Sequence, residues 1–195
     1  MNARRLYGAC VLLVLTACGT TPPSRLYVLD TPLVEQVASI DEDLRLVVGP
    51  ITIPAYLERP QIVVRDGGRL LASDFDRWSE PLLDGIALAL TRQVSAAGGI
   101  EALPFLWPGG LGESWRLPIE ITRFEAETPA RFVLEARWVL MSPKSQEVGE
   151  RQRRRYETSV DVGDYDAIVA ASSELLGRLA ADIAVSAETA LASVP

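Results

Sequence analysis

Three consecutive segments in the second half of this 195-residue chain alternate apolar and polar residues and are joined by short connections, and they constrain its fold more than any other feature. Trp115 to Glu127 alternates through Leu117, Ile119 and Ile121. Arg131 to Met141 alternates through Phe132, Leu134, Ala136, Trp138 and Leu140. Glu147 to Asp161 is polar and carries an arginine run. A period of two is that of a strand with one buried face. A few connecting residues can join only antiparallel neighbours, because a parallel crossover takes a dozen residues or more. The three segments therefore predict an antiparallel meander. After them, Tyr165 to about Ala192 is Ala-rich, with Ile168, Ala171, Leu175, Leu179 and Ile183 on one helical face and Asp164 placed as N-cap.

Upstream, Arg25 to Leu29 reads as a first strand and Asp30 to Asp43 as a linker. Leu44 to Ile53 is β-rich and ends at Pro54. Gln61–Arg65, Asp66-Gly67-Gly68 and Arg69–Ala72 predict a hairpin, the glycines supplying the positive φ of a tight turn. Trp78, Leu82, Ile86, Leu90 and Val94 recur every four residues and predict one helical stripe, with Pro81 in the first turn and Gly98-Gly99 as the stop. Ile100 to Leu106 reads as a strand, and Trp107 to Ser114 as a Gly-rich loop. Strands paired in series with two helices give an α+β domain of two layers, a mainly antiparallel β-sheet with two long α-helices packed on it.

The N-terminus differs in kind. Arg4 and Arg5 precede a nearly unbroken apolar run, Leu6 to Thr16, well short of the roughly 20 residues a membrane-spanning helix needs. That is the length of a signal-peptide core. The run ends in Leu15-Thr16-Ala17-Cys18, which resembles the bacterial lipobox. The resemblance implies cleavage before Cys18 and lipid on its sulfur and amine. One acyl chain anchors marginally and two or three do so durably. An ordinary signal peptide with a chance cysteine is the plainer alternative. Residues 1–17 are thus expected to be a signal peptide, 18–24 a lipidated tether and 25–195 one domain. Gly19 is not the Asp that favours inner-membrane retention, so the sorting rule points to the periplasmic face of the outer membrane. Cleavage removes Arg4 and Arg5 but no acidic residue, making the net charge of −7 two units more negative. Such a chain is a poor nucleic-acid ligand. With no cysteine after Cys18 there is no disulfide framework, and the core must carry the fold.

Candidate chemistry is sparse. The chain has no histidine, which removes the commonest general base and metal ligand, and no cofactor or metal is expected. Asp161 to Asp166 lacks the spacing and closing glutamate of a calcium loop and reads as a strand end plus a helix cap. Gly109 to Gly112 is not followed by the Lys-Ser/Thr of a phosphate loop. Arg151, Arg153 and Arg155 share one face of a strand. They are either a solvated edge or a docking strip for acidic partners or lipid phosphates. Trp107 is either an exposed apolar tip that meets a partner or part of the core.

Two segments carry a family resemblance. They are Tyr56-Leu57-Glu58-Arg59-Pro60-Gln61-Ile62-Val63-Val64-Arg65 and Phe75-Asp76-Arg77-Trp78-Ser79-Glu80-Pro81-Leu82. With the lipobox and Tyr27-Val28-Leu29, they resemble the PqiC family of ABC-type transport auxiliary lipoproteins. The resemblance implies a non-catalytic subunit that accompanies an MCE-domain protein and ABC transporter components in lipid transport between membranes. It also implies a capacity for homo-oligomeric rings. Arg59, Pro60, Gln61, Arg77, Trp78, Glu80 and Pro81 are its motif residues and candidate interface. An ion pair between Arg77 and Glu80 is one local expectation. A periplasmic lipid-binding shuttle and a carboxylate-based envelope hydrolase are the alternatives.

Overall fold

A thirteen-residue strand, Trp115–Glu127, is the spine of an eight-stranded sheet in the computed structural model, which describes residues 22–29, 45–98, 101–105 and 114–192. In chain order the strands are β1 (Arg25–Tyr27), β2 (Arg45–Thr52), β3 (Gln61–Asp66), β4 (Arg69–Trp78), β5 (Glu101–Pro104), β6 (Trp115–Glu127), β7 (Arg131–Met141) and β8 (Glu147–Ser159). The helices are α1 (Leu82–Gly98) and α2 (Tyr165–Ala192), and a 3-10 turn spans Ala55–Leu57. Cys18, the expected linker over 30–43 and Trp107 lie outside the described residues.

One edge of β6 carries β7 and then β8, all antiparallel, as the short connections require. The other edge is shared. β2 runs parallel to its first half, from Leu46 beside Trp115 to Thr52 beside Glu120. β3 runs parallel to its last residues, Val64 beside Ala126 and Arg65 beside Glu127. β2 continues into parallel β5, and β3 into antiparallel β4 and then parallel β1. The antiparallel ladders are the long ones.

Pro118 sits inside β6 without an N–H to give to a ladder. The register between β2 and β6 shifts beside it, where Val48 and Gly49 both face Leu117. Gly49 has φ 122°, and a Cβ there would lie 2.8 Å from Cβ of Phe105, so only glycine suits this bulge.

Both helices cover the same sheet face. α1 lies on β2 and β5, α2 lies on β7 and β8, and the two pack against each other. The inward residues of β7 are those the alternation selects: Phe132, Leu134, Ala136, Trp138 and Leu140 are all buried. Phe132 meets Phe124 edge to face, with ring centroids 5.1 Å apart. On α2 the expected face is buried, and small residues such as Ala180, Ala184 and Ala187 let the helix sit close. The Asp164 carboxylate accepts the N–H groups of Asp166 and Ala167 at 3.0 and 3.2 Å, a true N-cap. The observed architecture is the expected two-layer α+β one.

Trp78 needs correction. The four-residue spacing places it at the head of the α1 stripe, but it is the last residue of β4. The reason is Pro81, because the residue before a proline is pushed out of helical geometry. The helix cannot reach back through Glu80, and its first bonds close onto the Pro81 carbonyl from Asp84 and Gly85 at 2.9 and 3.2 Å. Trp78 stays buried, as a strand residue.

Candidate functional site

The two motifs, separated by residues 66–74 in sequence, meet in space. Gln61 and Arg77 are register partners across β3 and β4. The Trp78 N–H donates to the Pro60 carbonyl at 2.7 Å, and the Ser79 N–H donates to the Tyr27 carbonyl at 2.8 Å. These bonds draw β1, the entry to β3 and the exit of β4 together at the start of α1. Between them lies a pocket of about 450 Å³. Its apolar wall is Ile53, Pro60, Trp78, Pro81, Leu82 and Leu83, and its polar rim is Glu58, Arg59, Glu80 and Asp84.

Arg59, Pro60, Trp78, Glu80 and Pro81 therefore line one site, while Gln61 and Arg77 flank it in the ladder. Arg77 donates to the Asp74 carbonyl at 3.4 Å and not to Glu80. Its Nε is buried without a partner among the described residues.

Beside the pocket, Asp76 fastens β1. Its carboxylate takes an ion pair from Arg25 at 2.6 Å and hydroxyl donors from Ser73 at 2.7 Å and Tyr27 at 3.3 Å. Burial alone would raise the Asp76 carboxyl, but Arg25 and Ser73 outweigh it and hold the group below its usual value. Asp76→Ala is expected to free β1. Amide exchange at Ser79 should then speed by about tenfold while α2 amides stay protected, since local opening need not engage the core. Unchanged exchange at Ser79 would remove Asp76 as the fastener.

The arginine run lies on β8, whose outer edge has no strand partner among the described residues. It is not a bare cationic strip. Arg151 pairs with Glu147, and Arg153 and Arg155 both pair with Glu135. Arg154 turns to the helix face and reaches Asp182 at 3.9 Å, the same carboxylate that accepts the Tyr156 hydroxyl at 2.7 Å. A phosphate or acidic partner would have to compete with these carboxylates. Exposed pairs of this kind contribute little each to stability.

On the sheet face away from the helices the pairs join into one alternating chain. It runs Arg65–Glu125–Arg123–Glu127–Arg131–Glu157–Arg155–Glu135–Arg153. Glu125 is its buried end. Its oxygens accept Arg65 at 2.7 Å, the Tyr56 hydroxyl at 2.7 Å, Arg123 at 2.9 Å and the Phe124 N–H at 3.0 Å. Burial would raise this carboxyl, but those donors prevail and its pKa is lowered. Burial, with the Glu125 contact, pushes the Tyr56 phenol up to about 12. With every lone-pair direction engaged, Glu125 is a structural carboxylate. Arg123, Glu125 and Glu127 continue the spacing of Leu117, Ile119 and Ile121, so a strict period of two would put them on the apolar face. The register shift between Ile121 and Arg123 turns them to the other face, and neither that shift nor the partnership with Tyr56 and Arg65 was legible in the sequence.

Among the described residues no group of three or more histidine, cysteine or acidic side chains is placed to hold a metal ion, and no helix is long and apolar enough to cross a membrane.

No curated protein matches the chain. Among solved structures, a protein described only as uncharacterized superposes with a TM-score of 0.69 at 18% identity, covering 84% of this chain and 97% of its own. A protein from Xanthomonas campestris superposes with a TM-score of 0.59 at 19% identity, covering 87% and 98%. At these identities the likeness establishes the fold alone. The profile described as ABC-type transport auxiliary lipoprotein component matches residues 27–184, a span from β1 deep into α2 that includes both pocket motifs. This chain belongs to the family of ABC-type transport auxiliary lipoprotein components.

Proposed function

We propose that this protein is a non-catalytic docking subunit of an MCE/ABC-type intermembrane lipid transport system. Lipid on Cys18 holds it at the periplasmic face of the outer membrane, after removal of residues 1–17. The observation that carries the reading is the meeting of both motifs in one pocket, within a chain of the transport auxiliary family. The pocket lies beside β1, whose first residue is seven positions from Cys18. Extended chain covers at most about 3.5 Å per residue, so the site stays within some tens of ångströms of the lipid anchor. A short tether and a shaped surface suit a part that presents a partner at a membrane.

The test is affinity purification of the tagged, lipidated protein from gently solubilised envelopes. Co-purification of an MCE-domain protein or ABC components is expected. Cys18→Ala should leave the membrane fraction and lose that partner. Recovery of this protein alone across several detergents would overturn the docking reading. Membrane retention of the Cys18→Ala form would overturn the anchor.

A further inference from the structure

We infer that the pocket between the two motifs binds an extended partner segment in which an apolar anchor is flanked by cationic side chains. The inference deepens the docking reading and rests on it for the partner's being a protein of the transport system.

The wall decides the anchor. Trp78 is buried and Leu82 is buried, so the floor is fixed by the core below it. Pro60 and Pro81 are rigid and exposed, and Leu83 is half-buried. A concave site of about 450 Å³ with such walls lies within the usual range for binding pockets and suits two or three apolar side chains. Fixed aromatic and proline surfaces lose little conformational freedom on binding, which favours an anchor there.

The rim decides the charge. Glu58, Glu80 and Asp84 are three exposed carboxylates against the single guanidinium of Arg59, and none of the four is in an ion pair among the described residues. This contrasts with the far sheet face and β8, where arginines and carboxylates alternate and pair. Unpaired carboxylates around an apolar floor attract flanking lysines or arginines and repel phosphate or an acidic segment. The chain's net charge of −7 reinforces that preference at longer range. Arg59 remains free to hold a backbone carbonyl of the bound segment, which would set its direction.

The test uses the full-length lipoprotein in zwitterionic nanodiscs, with empty nanodiscs as background. Two fluorescein-labelled peptides serve as probes, Lys-Leu-Phe-Leu-Lys and Glu-Leu-Phe-Leu-Glu. The lysine peptide is expected to bind at least tenfold more tightly by anisotropy, with the ratio shrinking in high salt. Glu58→Lys with Glu80→Lys should reverse the preference. Both residues are exposed, and the thermal midpoint reports whether the fold is kept. Asp84 is left alone because it also favours the helix start. Equal affinity for the two peptides, or no effect of the double substitution in a folded protein, would overturn the inference.

A benzophenone version of the lysine peptide adds a readout that needs no variant. Crosslinks should fall on Ile53, residues 58–60 or residues 78–84, and crosslinks elsewhere would overturn the assignment. The two readings fail separately. A double variant that still co-purifies a transport component refutes the pocket and leaves docking standing. Peptide selectivity in a protein that brings down no such component refutes docking and leaves the pocket standing.

Discussion

Glu125→Gln is expected to lower the stability of the domain by about 3 kcal/mol, read as a fall in the urea midpoint at unchanged slope. Glutamine keeps the volume and one acceptor oxygen, so the loss isolates the charge. Removing one member of a buried ion pair costs roughly 3–5 kcal/mol, because the other is left uncompensated. Two guanidiniums and a phenol would be stranded here. Arg65 and Arg123 retain 24% and 20% side-chain exposure, so water can partly solvate them, which sets the low end of that range. A cost under about 1 kcal/mol would mean that the cluster relaxes into solvent.

The same residue gives a pH dependence with a definite sign. The folded-state pKa of Glu125 lies below its usual 4.5. The folded form therefore binds its proton less readily than the unfolded chain, and stability falls as the proton is taken up. Its contribution is complete above pH 4.5 and is lost as pH drops through the lower folded value. Asp76 and Glu127 are shifted in the same direction and lose their contributions in the same acid range. Wild type should lose stability steeply below about pH 4.5, and Glu125→Gln more shallowly. Identical acid slopes for the two proteins would remove Glu125 from the account.

Phe132→Ala is expected to cost about 4 kcal/mol and to lower the thermal midpoint by about 10 °C. The ring is only 1% exposed and lies in the layer between β7 and the helices. Truncation removes its burial and its edge contact with Phe124, and leaves a cavity walled by a rigid sheet that cannot close over it. Phe132→Leu should cost less than half as much, since most of the volume is kept. Equal losses for the two would point to backbone disruption and not to packing.

Much of the fold was legible because its signals are local. β6 and β7 run between the residues that the alternation marks, and α2 begins and ends where its capping and periodicity place it. Each boundary depends on residues a few positions apart. The joining of β2 and β3 to the same edge of β6 was not legible. Parallel neighbours are distant in sequence, and their apolar runs carry no mark of direction or order. Trp78 shows the same limit at short range. A four-residue apolar spacing is shared by a helix and by a strand end that happens to precede one, and Pro81 decides between them.

The candidate site divides in the same way. Its motif residues stood out in sequence, but their common pocket depends on a hairpin that folds residues 58–60 back beside residues 78–84. The arginine run left a solvated edge and a docking strip both open, because its partners Glu135 and Asp182 lie on other elements and the sequence does not show the pairing.

By itself, then, the amino-acid order determined what short-range periodicity, capping and proline chemistry can encode: the meander, the long helix, the two-layer class, the lipobox-like start and the motifs of the family. Tertiary structure alone decided what depends on long-range approach. It set the shared edge of β6, the charge of the β8 surface, the burial of Glu125 and the convergence of two motifs on one pocket. The physical reason is that covalent neighbours constrain local dihedrals directly, whereas contacts between distant segments are set by how the whole chain buries its apolar faces.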